Sequence, residues 1–181
     1  KPWSFSKLLR EVYRGEENLH RILVEKLSQY EDKEKPENSP ALPGISRKVR
    51  NWLHDRNQPG NREELFKICF ALQLTEEEAG MILGATAENG IHYRNPRELI
   101  YAFCLRVKKD YPYARELADR LLGEKVPLLG TLAYQQALRR QQDKENPEIK
   151  TASMRNEFKR LGSQEELLDF LREKRDSFGI H

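Results

Sequence analysis

The sequence predicts an all-α protein, and three observations predict it. Helix-start signals recur along the chain. The apolar residues behind them follow i, i+3, i+4, i+7 spacing. No run of alternating apolar and polar residues marks a strand. Residues 4–13 form the first expected helix, with Leu8, Leu9 and Val12 facing inward, and residues 17–29 the second, with Leu19, Ile22, Leu23 and Leu27 inward. Residues 31–44 are charged and hold Pro36, Pro40 and Pro43, so they are expected to interrupt the helices as an inserted loop.

Four later starts carry a capping residue three positions before a glutamate: Asn61 and Glu64, Thr75 and Glu78, Asn95 and Glu98, Ser163 and Glu166. In each, the first side chain accepts from an orphan backbone N–H, and the glutamate is expected to reach back to the cap's own N–H. Pro96 stands where its missing N–H costs nothing. Apolar stripes follow at Leu65, Ile68, Cys69 and Leu72, and at Leu99, Ile100, Phe103 and Val107. Further stripes run through Leu117, Ala118, Leu121 and Leu122, then Met154, Phe158 and Leu161, then Leu167, Leu168 and Leu171. Residues 123–130, with Pro127, read as a connection between helices, and the polar residues 141–150 as a surface loop. The expected division is a helical domain over 1–90, holding the 31–44 loop, and a C-terminal helical region over 91–181.

An apolar fraction of 38% suffices for a core at this spacing, whereas a net charge of +3 is too small to imply nucleic-acid binding without regard to where the charges sit. Cys69 and Cys104 fall on apolar faces, the position of buried reduced thiols. No run approaches the roughly 20 apolar residues of a membrane helix, no signal peptide is read, and the cytoplasm is the expected compartment. His20, His54, His92 and His181 are scattered, with no metal-ligand spacing around them. Glycine-rich phosphate loops and nucleophile elbows are missing, and the glutamate pairs serve helix caps. Neither an enzyme nor a cofactor is expected.

The informative unit is Ile45–Leu83, ISRKVRNWLHDRNQPGNREELFKICFALQLTEEEAGMIL. A short helix leads through a connection with Pro59 to an amphipathic helix and then to another capped one. Over residues 45–84 this resembles the lambda-repressor/Cro-type helix-turn-helix family. Val49 and Trp52 take the buried positions of the recognition helix, and Pro59 the connection. Leu65, Ile68, Ala71, Leu72 and Leu74-Thr75 match the helix and turn that follow. The resemblance implies a lambda-repressor-like helix-turn-helix unit that binds double-stranded DNA as a transcriptional regulator.

At about 100° per residue, Ile45, Val49, Trp52 and Arg56 fall together with Leu53 beside them. The opposite stripe is Arg47, Arg50, Asn51 and His54, flanked by Ser46 and Lys48. Arginine pairs bidentately with guanine and asparagine with adenine, so this stripe is the candidate base reader. Arg56 and Arg62 are the candidate phosphate contacts, which position without reading sequence.

A working unit of this kind needs a second helix close before the reader. The 31–44 insertion therefore favours a rival: a protein-interaction module, an inhibitor or adaptor, on the same scaffold. A second basic cluster (His92, Arg94, Arg97, Arg106, Lys108, Lys109) either extends a nucleic-acid surface or solvates a helix and caps its C-terminal end. Residues 151–178 either complete the chain's own core or offer helices to a homodimer or protein partner.

Overall fold

The computed structural model describes residues 3–34, 42–85, 90–123 and 156–174. It is all-helical, with no strand among the described residues. The helices are α1 (Phe5–Val12), α2 (Leu19–Glu34), α3 (Leu42–Leu53), α4 (Arg62–Ala71), α5 (Glu76–Gly84), α6 (Pro96–Arg106), α7 (Tyr111–Gly123) and α8 (Gln164–Lys174). Of the connection read over 123–130, Gly123 instead closes α7, and the rest, with the loop over 141–150 and the stripe residue Met154, lies outside the described residues.

The chain divides into two compact units. Unit 1 holds residues 1–91 and Lys108–Pro112, and unit 2 holds His92–Val107 and residues 113–181. A single cut near residue 90 does not anticipate the return of Lys108–Pro112 to the first unit.

In unit 1, α2 packs on α3 and α4, and α1 on α3 and α5, while α4 and α5 pack on each other. The core between them collects Leu9, Leu23, Val49, Trp52, Leu65, Ile68, Ile82 and Leu83, all nearly or wholly removed from water. Leu23, Leu27 and Tyr30 form the buried edge of α2, whereas Leu19 and Ile22 are only half-buried. Cys69 is fully buried, and burial pushes its thiol well up, away from the reactive thiolate.

The helix starts explain where these elements begin. Asn61, Thr75 and Asn95 accept from the backbone N–H of Glu64, Glu78 and Glu98, and Ser163 from that of Glu166. The reciprocal half of the motif forms in full at Thr75, whose N–H donates to Glu78 Oε1 at 2.8 Å. At two other starts the expectation is corrected. Glu64 takes the Gly60 N–H at 2.9 Å, and Glu98 takes the His92 N–H at 3.0 Å. Each carboxylate thus satisfies a donor earlier in the entering chain than the cap itself.

The stretch 31–44 is also corrected at both ends. Glu31–Glu34 continue α2, because no proline precedes Pro36 and the residues EDKE tolerate a helix. Leu42–Gly44 open α3, where a first-turn proline forfeits no intrahelical bond. Only residues 35–41 separate the two helices, and they lie outside the described residues.

In unit 2, α6 buries every residue from Glu98 to Leu105. The basic cluster here has internal duties. Arg97 pairs with Asp119 at 2.9 Å and lies over the Tyr101 ring. Arg106 belongs to the cluster read either as an extended nucleic-acid surface or as solvating and capping a helix end. Its guanidinium instead donates to the carbonyls of Phe158 and Leu161 and covers the Phe158 ring, 4.3 Å from its centroid. That ties α6 to the helical residues 156–159 and the turn after them, ahead of α8, whose Leu167, Phe170 and Leu171 are buried.

Candidate nucleic-acid interface

Burial along α3 follows the helical wheel. Ile45, Val49, Trp52 and Leu53 are buried, Arg47, Lys48, Arg50 and His54 are exposed, and Ser46 and Asn51 are half-buried. The helix ends in a turn built without glycine. Asp55 adopts a left-handed φ of 56°, its N–H donates to Trp52 O at 3.1 Å, and the Arg56 N–H donates to Asn51 O at 2.9 Å. This closes the last carbonyls of α3 and leaves Arg56 exposed just beyond.

Two side-chain clasps join this end to α1. Asp55 Oδ1 accepts the Ser6 N–H at 3.1 Å, and its other oxygen accepts the Ser6 hydroxyl. In return, Arg10 Nη2 donates to Leu53 O at 3.0 Å. Each helix is therefore capped by a side chain from the other. The Ser6 hydroxyl, together with the Ser6 N–H, the Ser4 hydroxyl and the Arg10 charge, holds the Asp55 carboxyl below the usual carboxylate range against the opposing effect of burial. A second depressed carboxyl lies at the start of α5. Burial raises Glu78, but hydrogen bonds from Arg14 and Thr75 outweigh it and leave the group low.

A group whose folded pKa is depressed contributes stability that is full above its unfolded pKa and disappears as pH falls through the folded value. With unfolded values of about 3.9 for Asp and about 4.3 for Glu, unit 1 should lose stability as pH drops below about 4. The gap in melting temperature between the wild type and Asp55→Asn should hold steady from neutral pH down to about 5 and close below about 4. A gap that widened in acid would contradict the assignment.

Against this frame, the sequence-predicted site residues separate. Arg47, Arg50 and Arg56 point to solvent and have no ion-pair partner among the described residues. Asn51 lies in the last turn of α3 and His54 directly after its end. Ser46 is occupied: its carbonyl and hydroxyl lie 3.1 and 3.3 Å from His20 Nε2. Lys48 pairs with Glu64 and sits 5.6 Å above the Trp52 ring centroid, against α4 rather than free in solvent. Arg62 is half-buried and donates to Gly90 O at 2.6 Å, a structural duty inside unit 1.

The structure adds residues that the sequence did not point to. A cleft of about 330 Å³ is lined by Arg10, Asn18, Leu19, His20, Arg50, Leu53 and His54, with no carboxylate among them. Asn18 caps α2, accepting the Arg21 N–H at 3.0 Å. The cleft thus joins two arginines, two imidazoles and the positive end of a sixteen-residue helix, a combination suited to an anion. Asn18 was legible as a cap and Arg10 as a basic last-turn residue. Their meeting with Arg50 is tertiary and has no local signal. The chain matches no protein-family model, no curated protein and no solved structure.

Proposed function

We propose that unit 1 binds double-stranded DNA through the outward face of α3, as a transcriptional regulator or related DNA-binding factor. One observation carries this reading. The exposed stripe of α3 and the capped start of α2 share a cleft lined by cationic and neutral groups alone. Arg47 and Asn51 then face base edges, with bidentate chemistry suited to guanine and adenine. Arg50 sits between that stripe and the cleft. There His54, the start of α2 and the part of the Arg10 guanidinium not donated to Leu53 O receive a backbone phosphate, while His20 is held by Ser46, and exposed Arg56 reaches the neighbouring phosphate. Ser46, Lys48 and Arg62 drop out of the interface because their groups are engaged within unit 1.

The rival, a protein-interaction module on the same scaffold, is favoured by that same engagement, which thins the basic face. Salt separates the two. Binding to a pool of random duplex DNA, with enrichment and sequencing of the retained fraction, should recover a motif. Affinity for that motif should fall by about 0.9 log unit per log unit of salt for each phosphate neutralised. Arg50→Ala should weaken the best site by about 1–3 kcal/mol. No retention at low salt sinks the DNA reading and leaves the interaction module.

A further inference from the structure

We propose that a second cleft of unit 1 binds a free α-amino acid with an apolar side chain. This cleft, of about 660 Å³, is lined by the ends of α1 and α4, the α1–α2 connection, one face of α2 and Lys108. Its size lies within the range of about 300–1,000 Å³ usual for small-molecule sites.

Its chemistry narrows the ligand. The floor is apolar: Val12, Leu72 and Leu74 are buried and Ile22 is half-buried. The rim carries both signs, with ammonium groups on Lys26 and Lys108 and carboxylates on Glu16 and Glu17. Among the described residues none of these four has an ion-pair partner, whereas Arg14 beside them is taken by Glu78. A purely anionic ligand would meet the two glutamates and a purely cationic one the two lysines. A zwitterion with an apolar body satisfies both signs and the floor.

Two helix C-terminal ends also border the cleft, at Tyr13 after α1 and at Leu72 after α4, where the Ile68, Cys69 and Phe70 carbonyls accept the N–H groups of Leu72, Leu74 and Gln73. Their carbonyl ends favour an ammonium group. The half-buried Tyr13 ring lies directly on Gly15, where an added Cβ would come within 2.5 Å of Tyr13 Cζ. Tyr13 and Gly15 both line the cleft.

The test is a titration of the full isotope-labelled chain, followed by amide chemical shifts. The probes are L-phenylalanine and L-leucine, with phenethylamine and 3-phenylpropionate as analogues of phenylalanine lacking one charge each. At least one amino acid should give saturable shifts concentrated at Tyr13–Glu17, Ile22, Lys26, Gln73 and Lys108. The single-charge analogues should bind about five-fold more weakly than phenylalanine, the size of one partly exposed ion pair. Glu17→Gln and Lys108→Gln, both at exposed positions, should weaken the amino acid similarly and leave the rest of the spectrum unchanged. The proposal is overturned by no saturable shift with either amino acid at about 10 mM, ten times a millimolar Kd. Shifts centred elsewhere, or analogues that bind as well as phenylalanine, overturn it too. None of these outcomes depends on DNA binding.

Discussion

Trp52→Ala should destabilise unit 1 by about 3–5 kcal/mol, the usual cost of emptying a large aromatic site in a packed core. Trp52 is 2% exposed and lies on the inner face of α3 among Ile45, Val49 and Leu53. α3 is held by both α1 and α2, so the walls of the cavity cannot easily close. The variant also removes the ring beneath the Lys48 ammonium. Urea unfolding of the full chain, followed by circular dichroism, measures the loss. Arg47→Ala, on the outer face of the same helix, should stay within about 0.5 kcal/mol of wild type. Equal stability of the two variants would contradict the inward and outward faces assigned to α3.

Tyr111→Ala should cost a similar amount, about 3–5 kcal/mol, although Tyr111 lies far from α3 in sequence. Its ring is 2% exposed, with its centroid 4.9 Å from that of Tyr30 and 6.0 Å from that of Phe70. The Lys67 ammonium sits 5.5 Å from its centre, and its hydroxyl donates to Glu63 Oε2 at 2.7 Å. This residue fastens Lys108–Pro112 into unit 1. Burial, and then the charge of Asp110, push the neighbouring Tyr30 hydroxyl well above the ordinary tyrosine range, so that ring stays neutral. Tyr111→Phe keeps the ring contacts and removes one hydrogen bond to a carboxylate, for an expected loss of about 1–2 kcal/mol. A Tyr111→Phe loss as large as that of Tyr111→Ala would move the anchor from the ring to the hydroxyl.

The legible parts of this molecule are the local ones. Asn61, Thr75, Asn95 and Ser163 announce their helices because a cap is decided within three residues, and all four cap in the structure. The inner face of α3 is legible for a similar reason, since 3.6 residues per turn separates Val49 and Trp52 from Arg47 and Arg50. What escapes is pairing at a distance. Lys48 and Arg62 look like free cations in the sequence, but Glu64 and Gly90 claim them through packing that no local pattern records. Arg10 and His20 look unremarkable and yet join Arg50 at one cleft. The extension of α2 to Glu34 escaped because three prolines in 31–44 coloured the whole segment, whereas each acts only on its own turn and the residue before it.

The reciprocal capping of α1 and α3 bears on how this part of the protein opens. Lifting α1 away would strip Asp55 from the start of one helix and Arg10 from the end of the other in a single event. Neither helix terminus can fray at that corner without the other losing a partner. The amides of Phe5–Val12 and those of residues 51–56 should therefore exchange with deuterium under one shared opening free energy, as one cooperative unit. Asp55→Asn should quicken exchange in both stretches together. The exposed basic end of α3 would then be only as rigid as its hold on α1.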